Sequence, residues 1–272
     1  MLNLSVVVPA YNDPRLEQCL KSIDEDVEVI VVLNGATEKV KKIAYSSKAV
    51  IAELKEPNLA KAYNYGIQIA THKNILIMDS DCIFRKGTIL KLYNLLDEAS
   101  LAKGRVMFSF SSRIGKIIAR ARHIHTSKKN AYSPPLAFDK TILEKVGGYY
   151  FDEALAWTED YDFDVRVKKA KLTLKYDDTA RIIHPELSLM QDLKSSFNYG
   201  VGHSRGVVFK KEGYYAPQNK LKSLYSSFKY VRGKYGILTG IYLLLWQLSF
   251  YNGYRKEIKK LKGGKKVETT TV

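Results

Sequence analysis

The chain has 272 residues, of which 46% are hydrophobic, enough for one large α/β domain or for a medium domain with an extension. This composition excludes a disordered chain, and two cysteines are too few for a disulfide framework. The formal net charge of +16 directs attention to anionic partners.

The first 78 residues alternate between short apolar runs and segments with helical spacing. Strands are predicted at 4–9, 27–33, 49–54 and 74–78, and helices at 14–23, 37–46 and 59–71. Asp13 is the expected N-cap of the first helix, with Pro14 at its first position. Strands that alternate with helices predict a mostly parallel sheet with right-handed crossovers.

The remainder of the chain is less regular. Helices are predicted at 88–99, 139–147 and 159–171, and strands at 105–112 and 173–184. From residue 186 onwards the pattern is typical of helices interrupted by glycines. We therefore predict an α/β domain over 1–185 and a helical, basic extension over 186–272, which ends in a disordered tail from residue 263.

Three polar clusters follow strands of the predicted sheet, at 9–13, 34–37 and 79–81. Ligands bind outside the carboxyl ends of parallel strands, so we expect these clusters to meet at one edge. The carboxylates of Asp79 and Asp81 project to the same side of their strand, and such a pair favours a shared cation. Because Mg²⁺ and Mn²⁺ bind through one or two carboxylates plus substrate phosphates, the third cluster predicts a metal–diphosphate site.

A second acidic cluster begins the predicted helix at 159–171. Its four carboxylates are Glu159, Asp160, Asp162 and Asp164. Acids at a helix N-terminus are stabilised by the helix dipole, but four exceed what a cap needs. One of them is therefore a candidate general base for an acceptor hydroxyl. His184, at the end of an apolar strand, is a candidate metal ligand alongside Asp81.

Five motifs, in this order, resemble those of family 2 glycosyltransferases of the GT-A fold. They are the strand and turn Val6-Val7-Val8-Pro9-Ala10-Tyr11-Asn12, the run from Asn58 through Asn64 to Gly66, the metal motif ending in Asp79-Ser80-Asp81, the segment from Gly147-Gly148-Tyr149 to Thr158-Glu159-Asp160, and Arg181-Ile182-Ile183-His184. The resemblance implies a Rossmann-like, mainly parallel central sheet with helices on both faces.

The resemblance also implies a role for each matched residue. The nucleotide-sugar site would comprise Pro9, Ala10, Tyr11, Asn12, Asn34, Asn58, Lys61, Asp79, Ser80 and Asp81. Asp81, Asp79 and His184 would bind Mn²⁺ or Mg²⁺, Asp160 would be the general base with Glu159 beside it, and Gly148, Tyr149 and Trp157 would lie on the acceptor side. The implied reaction is the inverting transfer of a sugar from a UDP-sugar to an acceptor in glycan, polysaccharide or lipid-linked saccharide synthesis.

Two departures from the family pattern leave alternatives open. Asn34 stands where the family usually has an aspartate, and the turn at 58–60 lacks the usual glycine. An asparagine side chain can both accept and donate hydrogen bonds, so a donor base other than uracil is one alternative. A catalytically silent member of the family is another, because Asn34 departs from the pattern. A nucleotidyltransferase would want a glycine-rich phosphate loop, which 9–12 is not. A nucleic-acid-binding protein would fit the charge, but acids at the predicted ligand edge oppose it, and we expect no nucleic-acid partner.

The last third of the chain carries much of the positive charge, with 16 Lys and Arg against 5 Asp and Glu over 186–272. Its most apolar stretch, 236–251, is short for a membrane span and is flanked by basic residues. This pattern predicts an in-plane helix with peripheral membrane contact through 236–262, in a protein of the cytoplasm located at the inner face of the cell membrane. A core helix or a homodimer interface is the alternative for this helix. The basic stretch 113–125 is a further candidate, as a binding site for an anionic acceptor such as a lipid-linked phosphate.

Overall fold

The computed structural model describes residues 1–126, 130–210, 212–217 and 221–268. The chain forms two compact units: unit 1 contains residues 1–108 and 126–185, and unit 2 contains residues 109–125 and 186–272. The prediction that residues 1–185 form one domain is therefore wrong for residues 109–125, which belong to unit 2.

Unit 1 contains an eight-stranded sheet. Its strands are β1 (Leu4–Ala10), β2 (Glu28–Asn34), β3 (Val50–Leu54), β4 (Asn74–Ile77), β5 (Ile83–Phe84), β6 (Leu101–Phe108), β7 (Leu136–Asp139) and β8 (Leu174–His184), in the order β3-β2-β1-β4-β7-β6-β8-β5. Strands β1 to β4 are parallel to one another, β7 runs antiparallel to β4 and β6, β8 is parallel to β6, and β5 is antiparallel to β8. The predicted α/β architecture is confirmed.

The helices are α1 (Leu16–Lys21), α2 (Glu38–Tyr45), α3 (Leu59–Ile69), α4 (Thr88–Leu95), α5 (Arg113–Thr126), α6 (Glu159–Lys169), α7 (Leu189–Phe209), α8 (Leu221–Tyr235) and α9 (Ile237–Glu268). In unit 1, both faces of the sheet are covered, since Val6 and Val8 belong to one buried apolar cluster and Val7 to another. Gly66 lets α3 approach the sheet closely, because a Cβ atom there would lie 2.4 Å from Val7 Cγ1.

The elements predicted over the first 78 residues are all present, with ends that differ by two residues or fewer. The prediction for the α1 N-cap is wrong: the N-cap is Arg15, whose backbone N–H donates to Asp13 Oδ1 at 2.9 Å. The strand predicted at 105–112 is β6, which begins earlier because Lys103 is buried within it and does not end it. The helix predicted at 139–147 is only a 3₁₀ turn, Lys140–Ile142, followed by turns through Gly147 and Gly148 at φ +96° and +82°.

Unit 2 is helical. Helices α7 and α9 pack backbone against backbone, because a Cβ atom on Gly200 would lie 2.0 Å from Phe250 O, and one on Gly253 would lie 2.0 Å from Phe197 O. The helix predicted at 236–251 continues to Glu268, so the predicted tail is wrong for 263–268, whereas 269–272 lie outside the described residues. Within the described ranges, no helix is both long and apolar enough to cross a membrane.

A buried ion pair lies inside unit 2. The guanidinium of Arg122, on α5, donates to the carboxylate of Asp192, which has no exposed surface. The hydroxyl of Tyr242 donates to the other oxygen of the same carboxylate. Arg122 is therefore a structural residue, and the proposed acceptor site in the stretch 113–125 loses one of its cations to the interior.

Candidate active site

The polar residues that follow β1, β2 and β4 are neighbours. The backbone N–H of Thr37 donates to Tyr11 O at 3.2 Å, which joins the turns after β2 and β1. Arg15 Nη2 lies 3.6 Å from Asp81 Oδ2 and also pairs with Asp13, so the turns after β1 and β4 meet as well. Residues that are distant in the chain therefore lie close together, as expected from the position of strand ends in a parallel sheet.

His184, the last residue of β8, faces Asp81. The distance from His184 Nε2 to Asp81 Oδ2 is 3.7 Å, and a hydrogen bond of 2.8 Å joins Nδ1 to Pro185 O. Because the Pro185 carbonyl can only accept, Nδ1 is the donor in that bond, and Nε2 is the ring nitrogen that lies nearest the carboxylate. The ring also contacts Phe108, with 4.8 Å between ring centroids, which fixes its plane.

The donor atoms around Asp81 fit a hard divalent cation. A carboxylate oxygen of Asp81, the ring nitrogen of His184 and Cys82 Sγ lie within 4.8 Å of one another. Burial and the nearby carboxylates raise the pKa of the Cys82 thiol well above its usual value, so its sulfur stays protonated. The carboxylate and the imidazole are the suitable ligands for Mn²⁺ or Mg²⁺ in this group, and the thiol is not.

Asp79 has a different partner from Asp81. Its Oδ1 accepts a hydrogen bond of 2.7 Å from the hydroxyl of Tyr63, a buried residue of α3. Burial and the charge of Asp81 raise the pKa of Asp79 to about 6, while the Tyr63 hydroxyl opposes that shift. The two predicted metal carboxylates are thus held by different neighbours, and only Asp81 is part of the group with His184.

The structure assigns different partners to the four carboxylates of α6. Asp162 accepts a hydrogen bond of 2.7 Å from Arg166 Nε, and Asp164 accepts one of 2.8 Å from the backbone N–H of Ala131 and pairs with Lys168. Both therefore stabilise the local fold. The other two, Glu159 and Asp160, lie in the first turn of the helix and stay the candidates for acid–base chemistry.

Those two carboxylates have raised pKa values. Burial, with Asp160 beside it, raises the pKa of Glu159 to about 8. Burial also raises the pKa of Asp160 to about 6, and the positive charge of Lys103 limits that rise. Different pKa values in adjacent acids are a common signature of an acid and a base with separate tasks.

Lys103 is buried inside β6, with 2% of its surface exposed. Its ammonium donates to the carbonyl of Tyr132 and, at 3.1 Å, to that of Pro134. Burial lowers the pKa of Lys103 to about 8, although the charges of Asp160, Asp79 and Asp164 favour the protonated form. A cation is therefore fixed beside the candidate base.

Helix α3 holds the segment that precedes α6. Asn64 Nδ2 donates to Phe151 O at 2.8 Å, and the Phe151 N–H donates to Asn64 Oδ1 at 3.0 Å. Asn58 Nδ2 donates to Glu153 O at 3.0 Å, while Asn58 Oδ1 caps α3. Asn34 Oδ1 accepts from the Asn58 backbone N–H at 2.7 Å. The asparagines of the N…N.G run thus connect α3 to the segment that precedes α6.

The remaining predicted residues differ in exposure. Pro9 and Ala10 are buried, Asn34 is nearly so, Ser80 is half-buried, and Tyr11, Asn12 and Lys61 are exposed. The ring of Tyr149 stacks on the guanidinium of Arg166, 3.9 Å away, next to the turn at Gly148. Trp157 is 48% exposed and has a φ of +71°, rare for a residue with a side chain, directly before Thr158.

Three residues of this region were missed from the sequence: Arg15, Tyr63 and Lys103. A lone lysine within the apolar strand 101–108 was a usable signal, since lysine is almost never fully buried without a reason. Tyr63 occupies a core position of α3, and nothing in the local pattern places its hydroxyl on Asp79. Nothing in the sequence around Arg15 distinguishes it from an ordinary surface arginine.

The chain is similar to known proteins in sequence and in fold. Residues 5–148 match the model of glycosyl transferase family 2. The glycosyltransferase GlyG of Streptococcus pneumoniae serotype 4 is 31% identical over 106 residues, which are 35% of this chain and 35% of that protein. This match thus spans about a third of the relative's length.

Solved structures of TarS from S. aureus have a similar fold. TarS 1–349 aligns over 97% of this chain and 92% of its own, at 15% identity and a TM-score of 0.53. TarS 1–349 in complex with UDP-GlcNAc aligns over the same shares at 15% identity and a TM-score of 0.54. At this level of identity the likeness establishes the fold.

Proposed function

Because this chain belongs to glycosyltransferase family 2, we propose that it transfers a sugar from a UDP-sugar to an acceptor hydroxyl with inversion at the anomeric carbon. The observation that carries the proposal is the arrangement of acids at one end of the sheet. Asp81 faces His184 at 3.7 Å, and the buried Asp79 is near enough to both Asp81 and Asp160, the candidate base, for their charges to raise its pKa. UDP-GlcNAc in a TarS complex of the same fold supports a UDP-sugar as the donor class.

The donor site would be formed by the turns that follow β1, β2 and β4. Pro9, Ala10, Tyr11 and Asn12 would line the base pocket, with Asn34 at its side and Asp79-Ser80-Asp81 at the ribose and diphosphate; Asn58 and Lys61 would lie at the start of α3. Because Asn34 Oδ1 already accepts from the Asn58 backbone N–H, we expect the Asn34 side-chain NH₂ group to contact the nucleotide base. The exposed Lys61 and the guanidinium of Arg15 would supply positive charge for the diphosphate.

Asp81 and His184 would hold the divalent cation, Mn²⁺ or Mg²⁺, with Asp79 near them. When bound, such a cation offsets the negative charge that develops on the leaving diphosphate. Arg15, 3.6 Å from Asp81, orients that carboxylate and adds to the positive field. His184 is oriented by its hydrogen bond to Pro185 O and by its contact with the Phe108 ring.

On the acceptor side, Asp160 would take the proton of the attacking hydroxyl. The acceptor oxygen forms its bond to the anomeric carbon as the bond from that carbon to the diphosphate oxygen breaks, and the nucleoside diphosphate leaves from the opposite face. Asp160 is ionised at neutral pH because its pKa, near 6, lies below 7, whereas Glu159, near 8, is mostly protonated. A protonated Glu159 donates a hydrogen bond and can orient the acceptor.

The acceptor would lie between the turn at Gly148 and Tyr149 and the exposed ring of Trp157. The exposed indole of Trp157, close in sequence to the candidate general base Asp160, is suited to pack against the apolar face of a saccharide ring. A free or lipid-linked saccharide is therefore the acceptor class that we propose.

Two variants separate the proposed roles of the acids. Asp160→Asn should reduce transfer by roughly 10²-fold or more and leave UDP-sugar binding in the presence of Mn²⁺ unchanged. Asp81→Asn should weaken the Mn²⁺-dependent part of donor binding. Calorimetry with a panel of nucleotide sugars, alongside a transfer assay, measures both, and Asp97→Asn on the exposed surface is the control. Loss of donor binding in Asp160→Asn would place that residue on the donor side and refute the assignment.

A further inference from the structure

The positive charge of the chain is concentrated in unit 2. Unit 2 contains 20 Lys and Arg residues against 5 Asp and Glu, a balance of +15, whereas unit 1 contains 24 against 23. Nearly all of the +16 therefore belongs to the helical unit, and the unit with the proposed active site is close to neutral. A positive charge concentrated in one unit indicates that this unit has an anionic partner.

Helix α9 has an exposed apolar face, which we call the apolar stripe. It consists of Ile237, Leu238, Ile241, Leu245 and Leu248, which are 54%, 61%, 44%, 47% and 56% exposed. These positions recur every three or four residues and lie on one side of the helix. The other side is already used, since Tyr242 and Leu243 are buried and Gly253 packs on α7. The stripe is thus left over after the unit has formed its core.

The same face of α9 turns basic beyond the stripe. Arg255, Lys256 and Lys259 are exposed and lie on the same side of the helix, about two to three turns beyond Leu248. At 1.5 Å per residue, the face from Ile237 to Lys259 is about 33 Å long. Exposed Arg232 and Lys234 lie just before it, at the end of α8. Leucines and isoleucines thus lie between two groups of cations.

We propose that this face of α9 docks in the plane of an anionic lipid membrane. The apolar stripe would enter the boundary between headgroups and acyl chains, while Arg255, Lys256 and Lys259 would contact the headgroups. The charge of unit 2 favours a membrane over a second copy of the chain. A second copy would bring another unit with a charge of +15 close to the first, whereas an anionic lipid surface would neutralise the positive charge. A nucleic acid would neutralise the charge but leave the five apolar side chains in water.

Cosedimentation of the whole chain with vesicles tests this proposal. We expect binding to vesicles of phosphatidylcholine with added phosphatidylglycerol, little binding to phosphatidylcholine alone, and weaker binding as salt is raised. The double variants Leu245→Gln with Leu248→Gln and Lys256→Gln with Lys259→Gln should each weaken binding by roughly tenfold or more. Matched controls on unit 1 are Leu90→Gln, and Lys39→Gln with Lys145→Gln, which should bind like the original chain.

Several results would overturn the proposal. The first is that the glutamine variants bind the vesicles as well as the original chain does, and the second is that the original chain does not bind the anionic vesicles. The third is that the chain forms a dimer that only the Leu245 and Leu248 variant dissociates, while that variant still binds the vesicles. Retention on RNA that depends on the lysines but not on the leucines, without vesicle binding, would also refute it. Circular dichroism melting shows whether each variant is folded, and the lysine variant tests the proposal even if the leucine variant does not fold. Sugar transfer to a soluble acceptor should be unchanged, which separates this proposal from the catalytic one.

Discussion

Replacing Lys103 with methionine should shift the pH dependence of transfer. The substitution keeps most of the side-chain length but removes the cation that limits the pKa of Asp160. The pKa of Asp160 should rise further above its ordinary value, so the base will be protonated, and inactive, over a wider range of acidic pH. The acid limb of the pH–rate profile should therefore move to higher pH.

The size of this shift can be worked out. An opposite charge nearby lowers a carboxylate pKa by about 1 to 3 units. The Lys103 ammonium donates to two backbone carbonyls and acts on Asp160 through its charge, so we take the low end of that range, about one unit. A shift from about 6 to about 7 reduces the ionised fraction at pH 6 by roughly fivefold, but at pH 8 by only about a tenth. Above pH 8 the two proteins should converge further, because the lysine itself loses its proton there.

The assay is the initial rate of transfer from pH 5 to 9 at saturating donor, with the melting temperature measured at each pH. Lys168→Met is the matched control, since Lys168 also pairs with Asp164 but its side chain is 61% exposed, where solvent screens the charge. A rate that falls by the same factor at every pH would show that Lys103 only supports the structure. An unchanged acid limb would refute the electrostatic argument.

Three further predictions concern stability and metal binding. Gly66→Ala should lower the free energy of unfolding by about 1 to 3 kcal/mol, seen as a lower melting temperature, because its Cβ would lie 2.4 Å from Val7 Cγ1; an unchanged melting temperature would mean that α3 moves freely. Asp192→Ala should cost about 3 to 5 kcal/mol in a urea titration, since it leaves the buried Arg122 without its carboxylate, and a loss under 1 kcal/mol would contradict that account. His184→Gln should weaken Mn²⁺ binding by calorimetry without a change in fold, whereas Cys82→Ser should bind the ion as before; the reverse ranking would make the thiol a ligand.

The order of elements was predictable because hydrophobic periodicity is a local property of the sequence. The position of the candidate site was predictable because the carboxyl ends of parallel strands meet at one edge of the sheet. Alternating strands and helices placed the ends of β1, β2 and β4 at one edge, and the acids followed from that. Side-chain partners were not predictable in the same way. The bond from Tyr63 to Asp79 and the burial of Lys103 depend on how α3 and β6 pack, which a linear pattern does not contain.

Unit boundaries were harder still. Residues 109–125 follow β6 directly and read as part of the first domain, but α5 shares its buried surface with Tyr242 and Trp246, more than 100 positions later. The basic face of α5 was read as a binding surface because a sequence lists charges without their partners. Arg122 is an example, because its guanidinium forms a buried ion pair with Asp192 inside unit 2.

The double hydrogen bond between Asn64 and Phe151, with Asn58 bound to Glu153, has a consequence for engineering. One end of α3 abuts the proposed nucleotide pocket, and its side chains fix the chain just ahead of Trp157 and Asp160. A substitution that tilts α3 to accept a new nucleotide would also displace the loop that we propose as the binding site of the acceptor. Donor and acceptor preferences should therefore change together in directed evolution, and libraries that vary α3 and residues 151–157 at once should recover more active variants than either library alone.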